Sequence, residues 1–577
     1  MEDIKFSDII KLNQEFRFDS SQRLEICVLS NISVQQSKEI LEYSLRREGV
    51  NAHVTYGDYN NIVQGSEKYA ESRVVIVFWE ICNLVEGLEL KNYAMSDSEI
   101  KTIIESTKLE IDIVLENFSM TPLVLFNRFS SILFTYQNHF GLNLKKIVYE
   151  LNNYMDGKNA SNIKIIDIGD VIAWVGTNES FNKRYYYSTK TLYTVNFFKS
   201  YVHYIKPYIL GYMGKSKKAI IFDCDNTLWS GIVGEDGLEG IDMSPVSHTG
   251  RIFNQIQNIA LALNKRGIII GLCSKNNPED VENVIQTHPD LLIKEESISI
   301  KKINWNDKVN NLKEIATELN IGLDAIVFID DSEFEVHLVQ EQLPEVKVIK
   351  VPEKLVEYPF LFLENMNLFF NLSFTNEDLI KTKQYKEQSK RENAKYLFQN
   401  IEDYLRSLEL SINIIKNDSK LIVRLSQLTQ KTNQFNLMTK RYTEAEIMNF
   451  VNDENYDIFG VEVQDKYGDY GLTALCIVKK DNKNNSLLID SFLLSCRIIG
   501  RNIEFALIDY LINLYKKCSY ENINACYKAT KKNDQVKHFF DNCSFEVVSF
   551  NEEMKYYRLN INNYLPQNID YIKIKHG

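Results

Sequence analysis

The sequence has no C-x-x-C pair; its nine cysteines are scattered and odd in number. That excludes a disulfide framework or zinc ribbon and points to a reducing compartment. No apolar run approaches the roughly 20 residues needed to cross a bilayer. The opening MEDIKFSDIIKLNQEF mixes acids with apolar residues and lacks the form of a signal peptide, so a cytoplasmic protein without a membrane partner is expected. Blocks of Lys and Arg are missing too. With Lys+Arg at 66 and Asp+Glu at 78 the net charge is −12, which argues against a nucleic-acid partner. What is present is 577 residues, 44% apolar and 25% charged, enough for three or four globular domains.

The chain is organised around Lys217 to Gly240, KKAIIFDCDNTLWSGIVGEDGLEG. The apolar run Ala219–Phe222 has the length and character of a buried parallel strand, and Asp223 and Asp225 follow where it leaves the sheet. Open α/β sheets carry their chemistry at that edge. Two carboxylates there can face a small hard cation, although Asp-x-Asp can also be a plain turn. The pattern continues downstream. Gly267–Cys273 reads as a second strand ending in Ser274; Lys308 opens a helix; and Ala325–Ile329 reads as a third strand ending in Asp330-Asp331.

Parallel strands would gather Asp223, Ser274, Asp330 and Asp331 at one edge, which suits phosphoryl transfer. An Asp223 carboxylate can take the phosphoryl group, and Asp225 can protonate the leaving oxygen and then activate water. Asp223, Asp225, Asp330 and Asp331 are the candidate ligands for Mg²⁺. Ser274 can hydrogen-bond a phosphoryl oxygen and Lys308 can offset its charge. Each has a bland alternative: Ser274 as a helix cap, Lys308 as solvated surface, Asp330 as a turn former. Cys224 and Cys273 flank the same edge and are candidates for an acyl thioester, or else small apolar fillers.

These residues resemble the haloacid dehalogenase superfamily, D-x-D-x-T followed by Ser, Lys and D-D. The longer strings FDCDNTLWSGIVGEDG (222–237), LCSKNN (272–277), INWNDK (303–308) and VFIDDSEFE (327–335) are similar to one branch, the FkbH-like proteins. YGDY near 56, RYYYSTK at 184–190 and SCRIIGRNIE at 495–504 extend the resemblance over most of the chain. One departure is Ser332-Glu333-Phe334-Glu335, where Asn-Pro-x-Glu is more usual. The resemblance implies removal of phosphate from the glyceryl unit of 1,3-bisphosphoglycerate and loading of that unit onto an acyl carrier protein in polyketide-type biosynthesis, with Mg²⁺ as cofactor. Two other readings stand beside it: a simple phosphatase on a small metabolite or sugar phosphate, and a non-catalytic assembly scaffold. The intervals from Asp225 to Ser274 and from Ser274 to Lys308 leave no room for a large cap over the site.

The expected architecture is α/β in three domains. Residues 1–213 form an SGNH-like domain, 214–365 a Rossmann-like haloacid-dehalogenase domain, 366–407 a helical connector and 408–577 a GNAT-like domain. In the first, Ser30-Asn31 follows a strand where an SGNH hydrolase carries its nucleophile, but His203 is preceded three residues earlier by Ser200 instead of Asp. Ser30 is therefore read as a cap or turn residue and the domain as a scaffold or docking surface. GYMGKS (211–216) lacks the spacing of a phosphate-binding loop and reads as a linker. In the last domain, Arg497 and Gly500 match the acyl-CoA loop of GNAT acetyltransferases, R-x-x-G-x-G/A, with Asn502 in place of the final small residue. Arg497, Gly500 and Arg501 are candidates for holding a carrier protein's phosphopantetheine arm.

Overall fold

The computed structural model describes residues 4–18, 23–135, 139–140, 142–158, 160–372, 400–518, 520–530, 532–551, 553–567 and 569–576. Most of the expected connector, 373–399, lies outside the described residues. The chain is a multi-domain α/β protein divided into two compact units: Met1–Met213 with Tyr442–Glu446, and Gly214–Arg441 with Ile447–Gly577.

The first unit is built on a parallel sheet of β1 (Leu24–Ser30), β2 (Ala52–Tyr56), β3 (Val74–Phe78), β4 (Leu123–Asn127) and β5 (Ile163–Ile166), in the order β2-β1-β3-β4-β5. β3 (VVIVF) and the first four residues of β4 (LVLF) are continuous apolar runs, and both strands are buried throughout. The long helix Asp97–Asn117 starts on a reciprocal cap, in which Ser96 accepts from the Glu99 N–H and Glu99 from the Ser96 N–H. Ser30 is a turn residue: its Oγ accepts from the Ile32 N–H at 3.2 Å, and the next helix begins only at Gln36. Asn31 clasps the backbone of Glu80, donating to its C=O at 2.8 Å and accepting from its N–H at 2.7 Å.

The second unit contains two sheets. The central one is parallel, with β6 (Ala219–Phe222), β7 (Ile269–Ser274), β8 (Ile298–Ile303), β9 (Ile326–Asp330) and β10 (Lys347–Lys350) in the order β10-β9-β6-β7-β8. Successive side chains alternate between two cores. Ile220, Phe222, Leu272 and Ile329 enter one; Ala219, Ile221, Cys273 and Phe328 enter the other. Gly271 lets β6, β7 and β8 close up, since a Cβ there would meet Ile221 and Ile300 at 2.7 Å.

The C-terminal sheet is mixed and nine-stranded. Its strands are β11 (Ser411–Lys416), β12 (Phe435–Asn436), β13 (Tyr456–Asp465), β14 (Gly468–Asp481), β15 (Ser486–Leu494), β16 (Asn522–Lys528), β17 (Glu546–Phe550), β18 (Met554–Asn560) and β19 (Lys573–His576). The order is β17-β18-β16-β15-β14-β13-β11-β19, with β12 paired to β15. β15 pairs with β16 only over Ser486–Ile489; further along, at Leu493 and Leu494, β12 takes that edge. Leu437 completes the bridge, donating to the Phe492 C=O at 3.1 Å and accepting from the Lys528 N–H at 2.8 Å. This sheet meets the central one near the start of β9, where Asn320 donates to the Cys496 C=O and Lys532 pairs with Asp324.

Candidate active site

Parallel register explains why distant acids meet. Phe222 lies beside Leu272 of β7 and Ile329 of β9, so the next residues, Asp223, Cys273 and Asp330, come level at the carboxyl edge. The Asp223 N–H extends the ladder to the Ile329 C=O at 2.9 Å. One carboxylate oxygen each from Asp223, Asp330 and Asp331 lies within 4.8 Å of the others. Lys308, at the start of helix Lys308–Glu318, donates from Nζ to Asp223 Oδ1 and to Asp330 Oδ2, both at 2.7 Å. Its side chain is 4% exposed, against 7% and 0% for the two carboxylates.

The charge balance shows what is wanting. Three carboxylates face one ammonium, so with all of them ionised the edge carries two uncompensated negative charges, at a high cost in low dielectric. Asp330 responds: burial, and then the neighbouring Asp223 charge, push its carboxyl up to about 7. Burial and Asp223 raise Asp331 as well. Burial alone would lower Lys308, but Asp223 and Asp330 outweigh it and hold the ammonium well above its usual range. An all-oxygen donor set short of two positive charges fits a hard divalent cation.

Asp225, the fourth acid expected at the metal, is not among the three carboxylates that cluster there. Its carboxylate takes donors from the two adjoining loops. Asp225 Oδ1 accepts from Trp229 Nε1 at 2.9 Å and the Val233 N–H at 3.0 Å, while Oδ2 accepts from Asn276 Nδ2 at 2.7 Å. Burial nevertheless raises its carboxyl, against those three donors. That suits a group which must carry a proton at times. Ser274 ends β7 at 1% exposure, one residue beyond the level of Asp223.

The two cysteines expected as thioester candidates are enclosed. Cys224 and Cys273 are both 0% exposed, each within one of the two cores. Burial pushes both thiols well above their usual range, which disfavours the thiolate. The unusual Ser332 proves to be a helix cap: its N–H donates to Asp330 Oδ1 at 2.9 Å and its Oγ accepts from the Glu335 N–H at 3.5 Å. Glu335 in turn pairs with Lys275 at 2.6 Å. Sequence reasoning missed the donors to Asp225. The available signal was a buried-type Trp four residues after an acid, and a second amide in the Ser274 loop.

The C-terminal loop is arranged differently. Arg501 Nη1 pairs with Asp465 Oδ2 at 3.3 Å, and its guanidinium lies over Tyr470, 4.5 Å from the ring centroid. Arg497 Nε donates to Ser495 Oγ at 3.3 Å, and both arginines are buried. Gly500 has φ +81° with open space where a Cβ would stand. In the first unit a cavity of about 620 Å³ is lined by Arg128, Lys145, Tyr149 and Asp156 among others. The Arg128 charge there is already matched by Asp156 and Asp167, so we give the cavity no part in the chemistry at the acids.

No protein-family model and no curated protein matches the chain. Among solved structures it is similar to the N-terminal part of a Bacteroides fragilis protein containing a phosphatase domain, complexed with Mg. Identity is 25%, covering 64% of this chain and 100% of that one, with a TM-score of 0.54. Shorter likenesses are to a spermidine/spermine N-acetyltransferase from Vibrio cholerae (14% identity, 27% of this chain and 96% of that one, TM-score 0.22) and to an N-acetyltransferase from Staphylococcus aureus (17%, 26% and 99%, 0.22). Among the described residues, no helix is long and apolar enough to cross a membrane.

Proposed function

We propose that this chain is a Mg²⁺-dependent phosphatase working through a phosphoryl group carried on Asp223. The observation that carries the reading is the meeting of the Asp223, Asp330 and Asp331 carboxylates, with Lys308 bonded to two of them. The Bacteroides fragilis neighbour, with its Mg-complexed phosphatase domain, supports it. Asp223, Asp330 and Asp331 would hold the ion, which when bound neutralises charge on a phosphoryl oxygen. Asp223 attacks phosphorus and is freed again by water; Lys308 stays to balance the charge gathering on the transferred group. Asp225 supplies the proton to the leaving oxygen and later takes one from water.

The finer reading concerns the substrate: glyceryl transferred from 1,3-bisphosphoglycerate to the phosphopantetheine thiol of an acyl carrier protein, with removal of the remaining phosphate. The thiol sulfur bonds to the acyl carbon, and the acyl phosphate leaves as inorganic phosphate with the thiol's proton. The sequence strings around the acids support this. So does the span from β6 to the next long helix, Gly250–Asn264, which carries only the short kinked helix Val233–Gly240 and no cap domain.

Two measurements test these readings. Asp223→Asn is expected to lower Mg²⁺-dependent phosphate release by more than about a thousandfold with an unchanged circular-dichroism spectrum; release at the wild-type rate refutes the assignment of Asp223. Intact-mass analysis of a carrier protein incubated with enzyme, Mg²⁺ and 1,3-bisphosphoglycerate is expected to show a glyceryl adduct. Phosphate without adduct leaves a small-molecule phosphatase, and neither product leaves a scaffold.

A further inference from the structure

The carboxylate of Asp225 is clasped from two loops. Trp229 and the Val233 N–H address Oδ1 from the loop after β6, and Asn276 addresses Oδ2 from the loop after β7. Both side chains are fixed. Trp229 is 1% exposed and Asn276 4%. The Asn276 Oδ1 accepts from the Asn277 N–H at 3.0 Å, which settles the end of the amide that faces Asp225. The indole is brought back onto Asp225 by a turn at Asn226, whose φ is +52° and whose Oδ1 accepts from the Gly231 N–H at 3.0 Å.

A carboxylate oxygen with two donors has both in-plane lone pairs engaged. That is the state of Oδ1. Oδ2 takes one donor among the described residues and keeps a second direction for a proton. We propose that Asn276 and Trp229 are positioning residues, which turn Asp225 so that Oδ2 is the atom exchanging the proton with the leaving group. The inference rests on the reading of Asp223 as phosphoryl acceptor. In the first half-reaction the bond from an Asp223 oxygen to phosphorus forms as the bond from phosphorus to the ester oxygen breaks. The proton on Asp225 Oδ2 passes to that oxygen, giving the alcohol. In the second, water oxygen bonds to phosphorus, the Asp223–phosphorus bond breaks, and a water proton returns to Oδ2. Ester and water thus yield alcohol and inorganic phosphate, with both aspartates restored.

A positioned general acid matters in proportion to the basicity of the oxygen it protonates. An alkoxide needs the proton, whereas nitrophenolate leaves without it. The test compares kcat/KM on glycerol phosphate and on p-nitrophenyl phosphate, using the full chain with Mg²⁺. This ratio reports steps through loss of the alcohol, so the shared second half does not mask the difference. Asn276→Ala is expected to raise the aryl-to-alkyl ratio about 30- to 100-fold. Trp229→Phe, which keeps the ring and removes the N–H, is expected to raise it in the same direction. Equal losses on both esters in both variants overturn the positioning role while leaving the phosphatase reading intact. A wild type that releases phosphate from neither ester overturns both.

Discussion

Replacing Lys308 with Met tests the charge balance at the acids directly. Lys308→Met keeps the stem and its packing but removes the one ammonium bonded at 2.7 Å to both Asp223 and Asp330. Breaking a buried pair from one side costs about 3–5 kcal/mol, because the partner charges are left without compensation. For a unit this large, with about 2 °C per kcal/mol, the melting temperature in EDTA should fall by roughly 6–10 °C. A divalent cation binds the same carboxylates, and the variant leaves them more negative. Mg²⁺ should therefore raise the melting temperature of Lys308→Met by more than it raises that of the wild type, since a ligand stabilises according to its affinity for the native state. Activity should not recover with stability. Loss of one charge-stabilising donor is expected to lower kcat about 10²- to 10³-fold even at saturating Mg²⁺. Thermal melts in EDTA and in MgCl₂, with phosphate release on the same samples, supply both numbers. A Mg²⁺-induced shift equal to or smaller than that of the wild type would refute the claim that the edge is short of positive charge.

Two further outcomes concern other parts of the molecule. In the first unit Glu80 is fully buried, bonded by the Tyr193 hydroxyl at 2.6 Å, with Oε2 lacking a hydrogen-bond partner among the described residues. Burial raises its carboxyl from 4.5 to about 8. The native state therefore binds more protons than the unfolded chain between those values. The contribution is fully present below pH 4.5 and is lost as the pH rises through 8, amounting to as much as about 5 kcal/mol. Glu80→Gln should thus gain stability relative to wild type between pH 5 and 9 in paired thermal melts; a difference that stays flat with pH would count against the buried acid. At the site, Cys273→Ala should retain phosphate release and carrier loading within about threefold, the thiol being neutral and without access. Loss of the carrier adduct alone, with phosphate release intact, would restore the thioester route.

Much of the site was legible because buried parallel strands are nearly unbroken apolar runs, and an acid ending such a run stands out. Asp223, Ser274, Asp330 and Asp331 each follow one, and helix Lys308–Glu318 was announced by its polar start. The edge strands β8 and β10 were not seen. ISIKKI and KVIK mix lysines with short apolar stretches, because an edge strand is only partly buried. Glu80 was hidden for a related reason: an acid just beyond VVIVFW looks like the end of a strand, and only the packing of Tyr193 and Asn31 around it encloses it.

Local sequence thus determined which segments became strands and helices, and which residue types stood at their ends, since hydrophobic period and capping act over a few residues. Tertiary structure decided the rest. The register of β6 between β7 and β9 chose which acids became neighbours, two cores enclosed Cys224 and Cys273, and the loop after β7 delivered Asn276 to Asp225. Those outcomes depend on contacts between residues about 50 to 100 positions apart, whose dielectric surroundings and hydrogen-bond partners exist only once the sheet has formed.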